Sequence, residues 1–212
     1  MLTCIGRRVE LLRAIRDAAA KLKTQIEVHG ADVSWLSPAL QLADQAHIVP
    51  AIRSGEYPNA LLQLVRREHI DLVIPLIDPE LPLIAACADR FAEVGCRALI
   101  SSPEVVETCH DKLLTYRALT AAGIDTPQTW GWDEAVGFRR HRFPYYLKPR
   151  AGSAAMGNYK VNDLEELLVF GRRVPDAIVQ EFVEGEEYTL DVYAGFDGIP
   201  RCVVPRKRLE VR

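Results

Sequence analysis

The sequence predicts an α/β protein in which a doubly wound parallel sheet is followed by a smaller α+β unit. Up to Ser101, short apolar runs alternate with helical patterns, which is the pattern of a parallel sheet with helices on both faces. From Tyr145 onwards, strand patterns with a hairpin turn lie beside one helical pattern, which is typical of an α+β unit. We place the boundary near His110, which gives domains at 1–109 and 110–212.

The elements of the first unit follow from the spacing of apolar residues. Arg7–Lys23 and Pro58–Arg67 carry apolar residues at a helical period. Asp71–Ile77 is a continuous apolar run, as expected of a strand covered on both faces. A helix then runs through Phe91 and ends at Gly95. The remaining predictions are strands at Leu2–Ile5, Ile26–Val28, His47–Val49 and Cys96–Ser101, and a short helix with Ser37 as N-cap and Pro38 at its first position.

The pattern changes after Ser101. Ser102-Pro103-Glu104 begins one helix, and Asp111–Ala122 forms another that Gly123 ends. Asp197-Gly198 is a hairpin turn signal between two strands. Those strands are Glu187–Gly195 and Ile199–Val204, and the other predicted elements are strands at Tyr145–Lys148, Tyr159–Val161 and Ala177–Val183, a helix at Asp163–Arg173 and a surface loop at Arg139–Arg142.

The composition is that of an ordinary globular protein. Of the 212 residues 49% are hydrophobic and 26% are charged, and the formal net charge is −3. This balance favours neither a disordered chain nor a nucleic-acid partner. The sequence contains no apolar run long enough for a membrane span and no signal peptide. A cytoplasmic protein without a membrane partner is therefore expected.

The cysteines and histidines do not predict a metal site. The five cysteines are scattered without a Cys-x-x-Cys pair, which is typical of reduced, mostly buried thiols. The five histidines are equally dispersed and form no His-Glu-x-x-His pattern. We therefore expect neither zinc nor a Cys/His nucleophile pair.

Three features of the second unit suggest a site for a nucleoside triphosphate. Lys112 stands at the head of a helix, and Lys148 ends a strand before the small-residue loop Ala151–Gly157. Fixed cations and closely approaching backbone N–H groups are what phosphates require. The third feature is the acidic turn Gln180–Glu187 at the end of another strand. Within this turn, Phe182-Val183 offers an apolar strand end for adenine. The carboxylates of the turn can accept hydrogen bonds from ribose hydroxyls.

Each feature alone has a plain alternative. Lys112 can be a solvated surface charge, Gly152–Gly157 an ordinary mobile loop, and the acidic cluster a solvated turn. The sequence has neither G-x-G-x-x-G nor G-x-x-x-x-G-K-[ST]. The prediction rests on the order and combination of the three.

That combination resembles the ATP-grasp family, nearest its carbamoyl-phosphate-synthase-like subgroup. The resemblance covers almost the whole chain. It is carried by LTCIGRRVELLRA, PLIDPEL, SSPEVVETCHDKLLTYRALTAAGIDTP, KPRAGSAAMG and QEFVEGEEYTLDV, in that order. It implies that the wound unit is the family's leading (pre-ATP-grasp) domain and that the second unit is an ATP-grasp domain.

The resemblance also implies roles for individual residues. Lys112 and Lys148 would contact the phosphates of ATP, and Gly152, Ser153 and Gly157 would lie in the lid loop over them. The adenine edge would meet Gln180 and the backbones of Glu181 and Val183. The ribose hydroxyls would bind Glu187, with Glu184 as the rival.

The reaction implied by the resemblance is an ATP-dependent ligation. A carboxylate or bicarbonate is phosphorylated to an acyl phosphate, which an amine or ammonia then attacks, and Mg²⁺ neutralises the triphosphate. The family's magnesium ligands lie on later strands, so we expect them beyond Arg212, and the 212-residue chain alone is expected to be inactive. The partners are then small-molecule substrates, and a homodimer is compatible with the family. A non-catalytic or regulatory ATP-binding module is the alternative.

Two further groups of polar residues are open to two interpretations. Asp78-Pro79-Glu80 follows the strongest strand, at the edge where wound sheets bind ligands, but Asp before Pro is also a helix start. We favour Asp78 as a helix N-cap. Arg206-Lys207-Arg208 can face an anionic acyl phosphate or form a solvated basic strand.

Overall fold

The computed structural model describes residues 1–152 and 156–209. The chain divides into two compact units, Met1–His110 and Asp111–Arg212. Among the described residues, no helix has both the length and the apolar character needed to cross a membrane.

A parallel sheet of five strands forms the first unit, in the order β3-β2-β1-β4-β5. Leu2 pairs with Gly30 on one side and with Ile74 on the other, so β1 lies at the centre and the winding reverses there. This confirms the predicted wound sheet. The strands are β1 Leu2–Thr3, β2 His29–Asp32, β3 Gln45–Ile48, β4 Leu72–Pro75 and β5 Arg97–Ala98.

Helix α2, Tyr57–Arg67, buries one apolar stripe. Its buried residues are Tyr57, Leu61, Leu64 and Val65, which share one side because of the 3.6-residue period. They pack with Val73 and Phe91 in one of the two cores of the unit. The helices are α1 Val9–Lys21, α2 Tyr57–Arg67, α3 Leu81–Ala86, α4 Ala88–Glu93 and α5 Pro103–His110, with 3-10 turns at Leu40–Leu42 and Asp78–Glu80.

The second unit contains an antiparallel four-stranded sheet and a separate hairpin. The sheet has the order β6-β9-β7-β8, and the hairpin pairs β10 with β11. This confirms the predicted change from a parallel to an α+β architecture. The elements are α6 Lys112–Ala121, β6 Thr129–Gly131, α7 Trp132–Val136, β7 Tyr145–Pro149, β8 Tyr159–Val161, α8 Leu164–Gly171, β9 Ala177–Glu181, β10 Tyr188–Ala194 and β11 Pro200–Lys207.

One face of the four-stranded sheet is covered by α7 and α8. Tyr145, Leu147 and Val179 point to this face and pack in a core with Ala135 of α7 and Leu167 of α8. Side chains alternate between the faces of a strand, so Tyr146, Lys148 and Gln180 occupy the opposite face. The predicted site residues Lys148 and Gln180 therefore lie on the face that these two helices leave uncovered.

Several predicted elements are wrong in position or extent. The strand predicted at Ile26–Val28 lies at His29–Asp32. This strand has a polar residue at each end. The carboxylate of Asp32 can be buried because it accepts hydrogen bonds from the Gly6 and Val33 N–H groups at 2.7 Å each. The helix predicted through Phe91 is two helices that meet at Cys87.

Other differences concern local details. Ser37 does not cap a helix, because only the 3-10 turn Leu40–Leu42 follows it. β6 and α7 were not predicted. Of the five cysteines, all free, only Cys87 and Cys96 are buried, so the expectation of mostly buried thiols is wrong for Cys109 and Cys202, which are exposed.

Candidate functional site

A hydrogen-bonded relay links three strands on the uncovered face of the second unit's sheet. Lys148 Nζ on β7 donates to Gln180 Oε1 on β9 at 2.8 Å. Gln180 Nε2 in turn donates to Thr129 Oγ1 on β6 at 2.8 Å, and the Thr129 hydroxyl donates to Pro127 O at 2.9 Å. The Gln180 amide is fixed at both ends, because its nitrogen donates to Thr129 and its oxygen accepts from Lys148. The Lys148 ammonium is therefore held at a defined place on the sheet.

Aromatic rings flank this ammonium. Tyr146 is two residues before Lys148 on the same face, and its ring centroid lies 5.7 Å from Lys148 Nζ. The Phe182 ring lies 6.4 Å from that of Tyr146, and Lys160 Nζ sits 4.1 Å above the Phe182 ring. The face thus carries two cations beside two aromatic rings, a surface suited to a flat, anionic ligand.

The start of α6 brings a second lysine to the loop after β7. Asp111 caps this helix by accepting from the N–H groups of Leu113 and Leu114 at 2.8 and 3.0 Å. Lys112 Nζ donates to Gly152 O at 2.9 Å, and the Lys112 N–H donates to Arg150 O at 3.0 Å. The helix start and the loop are therefore joined directly.

An ion pair reinforces this junction. Arg150 Nη2 lies 2.6 Å from Asp111 Oδ2, and Arg150 Nε donates to the same oxygen at 2.7 Å. Burial opposes ionisation of Asp111, but hydrogen bonds from Arg150, Leu114 and Leu113 together lower the pKa of that carboxyl below its usual value. One carboxylate thus caps the helix and anchors the loop that follows Lys148.

The two lysines share an electrostatic environment that favours an anion. Burial lowers the pKa of Lys148, and the positive charge of Lys112 lowers it further. Burial also lowers the pKa of Lys112, while Asp111 opposes that shift. Two partly desolvated cations that repel each other are stabilised when an anion binds near both. This is the chemical property that a triphosphate site requires.

The loop residues predicted to form a lid are described only in part. Gly152 and Gly157 have φ values of +108° and +74°, which glycine adopts without strain. A Cβ at Gly157 would lie 3.2 Å from Pro149 Cγ, so the small residue there allows a close approach of the loop to β7. Ser153 lies outside the described residues.

The acidic turn is exposed and only partly near the relay. Gln180 and Glu181 belong to β9, where the Glu181 N–H donates to Gln128 O at 2.8 Å. Val183 is 63% exposed, and Glu184 is exposed as well. Glu187 accepts a hydrogen bond from Arg208 at 2.6 Å. The structure therefore joins Gln180 to Lys148, whereas Glu187 already has a basic partner.

The basic run at 206–208 is exposed and lies on or beside β11. Its three side chains pair in order with Asp191, Glu186 and Glu187. This arrangement favours the interpretation as a solvated basic strand, because each of these cations faces a carboxylate rather than an open anion site.

The Asp78-Pro79-Glu80 segment of the first unit has a structural role. Asp78 is the first residue of the 3-10 turn, so it is not the N-cap and that prediction is wrong. Glu80, which is fully buried, accepts instead from the Leu76 N–H at 2.8 Å and from the Tyr57 hydroxyl at 2.7 Å. Burial, with Glu80 alongside, raises the pKa of Tyr57, which keeps the hydroxyl as the donor.

Sequence reasoning missed four residues of the site: Thr129, Tyr146, Arg150 and Lys160. Arg150 could have been found, because Asp111 before a helix and Arg150 two residues after Lys148 both flank predicted site lysines. Thr129 had no such signal, since the three-residue strand β6 that carries it is too short to produce an alternating pattern.

Two protein families match the chain. The first is the "ATP-grasp domain" family, which matches residues 109–211. The chain therefore contains an ATP-grasp domain. Residues 1–99 match a second family, described as "PylC-like, N-terminal domain". The two matches cover most of the predicted leading domain and nearly all of the predicted ATP-grasp domain.

Similar proteins support the same assignment. The 3-methyl-D-ornithine–L-lysine ligase of Methanosarcina acetivorans is 28% identical over 169 residues, a match that covers 80% of this chain and 41% of the ligase. The chain thus spans less than half the length of that relative.

Two solved structures share the fold. N5-carboxyaminoimidazole ribonucleotide synthetase from Thermotoga maritima has a TM-score of 0.68 and 21% identity, covering 96% of this chain and 52% of its own. The biotin carboxylase domain dimer of Hydrogenobacter thermophilus 2-oxoglutarate carboxylase, in complex with MgADP, ADP and bicarbonate, has a TM-score of 0.64 and 17% identity. Its match covers 88% of this chain and 45% of its own.

Proposed function

We propose that this chain is the nucleotide-binding part of an ATP-dependent carboxylate–amine ligase. The observation that carries the proposal is the placement of two lysines at one end of β7: Gln180 holds Lys148 Nζ at 2.8 Å, and Lys112 Nζ contacts Gly152 O of the loop after β7 at 2.9 Å. Burial lowers the pKa of each lysine, and the charge of Lys112 lowers the pKa of Lys148 further. Binding the ATP phosphates between them would replace cation–cation repulsion by two charge-assisted contacts. The MgADP complex of the similar biotin carboxylase domain supports a nucleotide at this fold.

The adenine and ribose would bind beside the relay. Tyr146 and Phe182 offer aromatic surface, and the backbones of Glu181 and Val183 continue the edge beyond Gln180. Gln180 would orient Lys148 through its amide oxygen. Glu187 would exchange Arg208 for the ribose hydroxyls, and Glu184 is the rival acceptor.

The fit to magnesium is different. In the described ranges, with their gap at 153–155, three candidate metal-ligating side chains come together only at His29, His47 and Glu68 in the first unit. The described residues around Lys148 therefore provide no three-ligand carboxylate site for Mg²⁺.

The proposed reaction has two steps. A carboxylate or bicarbonate oxygen attacks the γ-phosphorus of ATP, the bond from phosphorus to the bridging oxygen breaks, and ADP leaves. The amine or ammonia nitrogen then attacks the acyl phosphate carbon, phosphate leaves, and the nitrogen loses a proton. Lys112 and Lys148 would hold the phosphates and offset the charge that shifts toward ADP. The related methanogen ligase, whose name joins two amino acids, supports amino-acid substrates.

This proposal includes three further expectations. The resemblance to the carbamoyl-phosphate-synthase-like subgroup stays a prediction, as does a cytoplasmic location. A homodimer is supported by the dimer of the similar biotin carboxylase domain.

An ADP-release assay tests the proposal. The protein, as the full chain that carries this sequence, is assayed with ATP and Mg²⁺ against pairs of small amino acids, against ammonia, and against bicarbonate. We expect ADP release that requires both a carboxylate and an amine. The Lys148→Met variant should lower kcat/KM by roughly 10²-fold or more.

The alternative function is an ATP-binding module without catalysis. The same assay separates the two. Saturable ATP binding without ADP release for any substrate pair would support the module and contradict the ligase.

A further inference from the structure

A histidine pair lies in the first unit, whereas the Lys148 relay belongs to the second. His29 begins β2, and His47 lies on β3. The pairing of Ala31 with His47 places both histidines on the same face of the parallel sheet. His29 Nδ1 lies 3.0 Å from His47 Nε2, and the rings stack with centroids 5.2 Å apart.

A carboxylate completes a three-membered group. Glu68, the residue after α2, offers an oxygen, and the ligand atoms of His29, His47 and Glu68 all lie within 4.8 Å of one another. Arg67 Nε donates to Glu68 Oε1 at 2.7 Å. Two imidazoles with one carboxylate form the ligand set of known three-ligand zinc sites.

The spacing of the imidazole nitrogens fits a shared metal ion. Two nitrogens bound to one tetrahedral Zn²⁺ lie about 3.3 Å apart, because each zinc–nitrogen bond is about 2.0 Å. The observed 3.0 Å is a hydrogen-bond distance, so a proton now lies between the nitrogens. A zinc ion can replace that proton after the nitrogens separate by a few tenths of an ångström.

A second carboxylate faces the other side of His29. Glu27 Oε2 lies 3.8 Å from His29 Nε2, and Gln45 Nε2 donates to Glu27 Oε1 at 3.0 Å. A carboxylate in this place favours the His29 tautomer with its proton on Nε2, so that the Nδ1 lone pair accepts the hydrogen bond from His47 and becomes available to a metal ion when that bond opens.

The group also has an approach from solvent. A cleft of about 350 Å³ is lined by His29, Glu68, Glu27 and Asp71, among others. The carboxylates of Glu27, Glu68 and Asp71 in this lining attract a hydrated cation toward His29, which raises its local concentration there.

We propose that His29, His47 and Glu68 bind a divalent transition-metal ion, which we expect to be Zn²⁺. Glu27 is the residue that orients His29. The expectation from the dispersed histidines was that no zinc site exists. Linear spacing missed this group because the parallel pairing of β2 with β3 brings together histidines that are far apart in the chain.

Zinc titration of the full chain by calorimetry in metal-free buffer tests the proposal. We expect saturation at one equivalent and a higher midpoint of thermal unfolding with zinc. Glu68→Gln and His47→Gln should each weaken binding by at least about tenfold, and Glu27→Gln by about tenfold. Glu68 lies at the end of a helix and is part-exposed, so Glu68→Gln remains a test if His47→Gln does not fold.

The matched control is Cys109→Ser combined with His110→Gln, which removes an exposed thiol and an exposed histidine from the same unit. This control should bind zinc like the wild type. Co²⁺ in place of zinc should give visible d–d bands without a thiolate charge-transfer band. No saturable binding, unchanged binding by Glu68→Gln, or loss of binding in the control would each overturn the proposal.

Discussion

Lys148 and Gln180 meet diagonally across two antiparallel strands, with 2.8 Å between the ammonium nitrogen and the amide oxygen. The register pairs Gln180 with Tyr146 and Lys148 with Ile178, so the long lysine side chain reaches back along the sheet to make this contact. An amide oxygen orients the ammonium group but cannot neutralise it. The positive charge is therefore held in place and left available to an anion.

Replacing that amide by a carboxylate should change stability and affinity in opposite directions. In Gln180→Glu the half-buried Lys148 gains an opposite charge, so we expect the free energy of unfolding in urea to rise by about 1 kcal/mol without nucleotide. The new carboxylate repels phosphates and forms an ion pair with the Lys148 ammonium, so ATP should bind at least about tenfold more weakly. Gln63→Glu on the exposed side of α2 is the control and should change neither quantity. Equal or tighter ATP binding by Gln180→Glu would contradict the proposed role of Lys148.

The lowered pKa of Lys148 predicts a pH dependence of stability. Between that lowered value and the ordinary lysine pKa of roughly 10.4, the unfolded chain binds more protons than the folded one. The contribution of Lys148 to the free energy of unfolding therefore rises with pH in this window. Denaturant unfolding should show the difference between wild type and Lys148→Met shifting in favour of the wild type from about pH 7 towards pH 10. Parallel pH profiles for the two proteins would show that Lys148 is not desolvated.

Glu187 and Glu184 can be separated by their response to the ribose. Wild-type protein should bind ATP more tightly than 2′,3′-dideoxy-ATP, and Glu187→Gln should lose most of this preference. Because the Glu187–Arg208 pair is exposed, its loss should change stability by less than about 1 kcal/mol. Calorimetric titration with both nucleotides gives the comparison. If Glu184→Gln removes the preference and Glu187→Gln keeps it, the assignment to Glu187 is wrong.

Much of the fold could be predicted because the signals are local. The apolar period of α2 and the continuous run at β4 correspond directly to their buried faces. His29–Asp32 could not be recognised as a strand, because its polar residues are buried by bonds to distant groups, such as Gly6 to Asp32. The burial of Glu80 could not be predicted either, because its partners Tyr57 and Leu76 come together only in the fold.

The site follows the same division. Lys112, Lys148 and Gln180 could be predicted from their order along the chain. In the structure Lys148 donates to Gln180, and Lys112 donates to Gly152 O in the loop after β7. The Thr129 relay could not be predicted, since β6 gives no periodic pattern.

The packing of α7 against α8 makes a prediction about Gly171. A Cβ added there would lie 1.8 Å from Trp132 Nε1, which now donates to Leu167 O at 3.1 Å. Gly171→Ala should displace the indole ring, break this bond and lower the free energy of unfolding by about 1–3 kcal/mol. Gly131→Ala is the control, because no atom lies within 4 Å of its added Cβ. Equal stability of the two variants in urea would show that the Trp132 contact is not tight.

The most direct test of the nucleotide site is calorimetric titration of ATP into three proteins: wild type, Lys148→Met, and Lys21→Met as a control for the loss of an exposed lysine. The Lys148 assignment predicts saturable binding by the wild type, the same affinity for Lys21→Met, and an affinity lower by at least about tenfold, or ~1.4 kcal/mol, for Lys148→Met. Wild-type binding that Lys148→Met retains in full, or no ATP binding by the wild type, would contradict it.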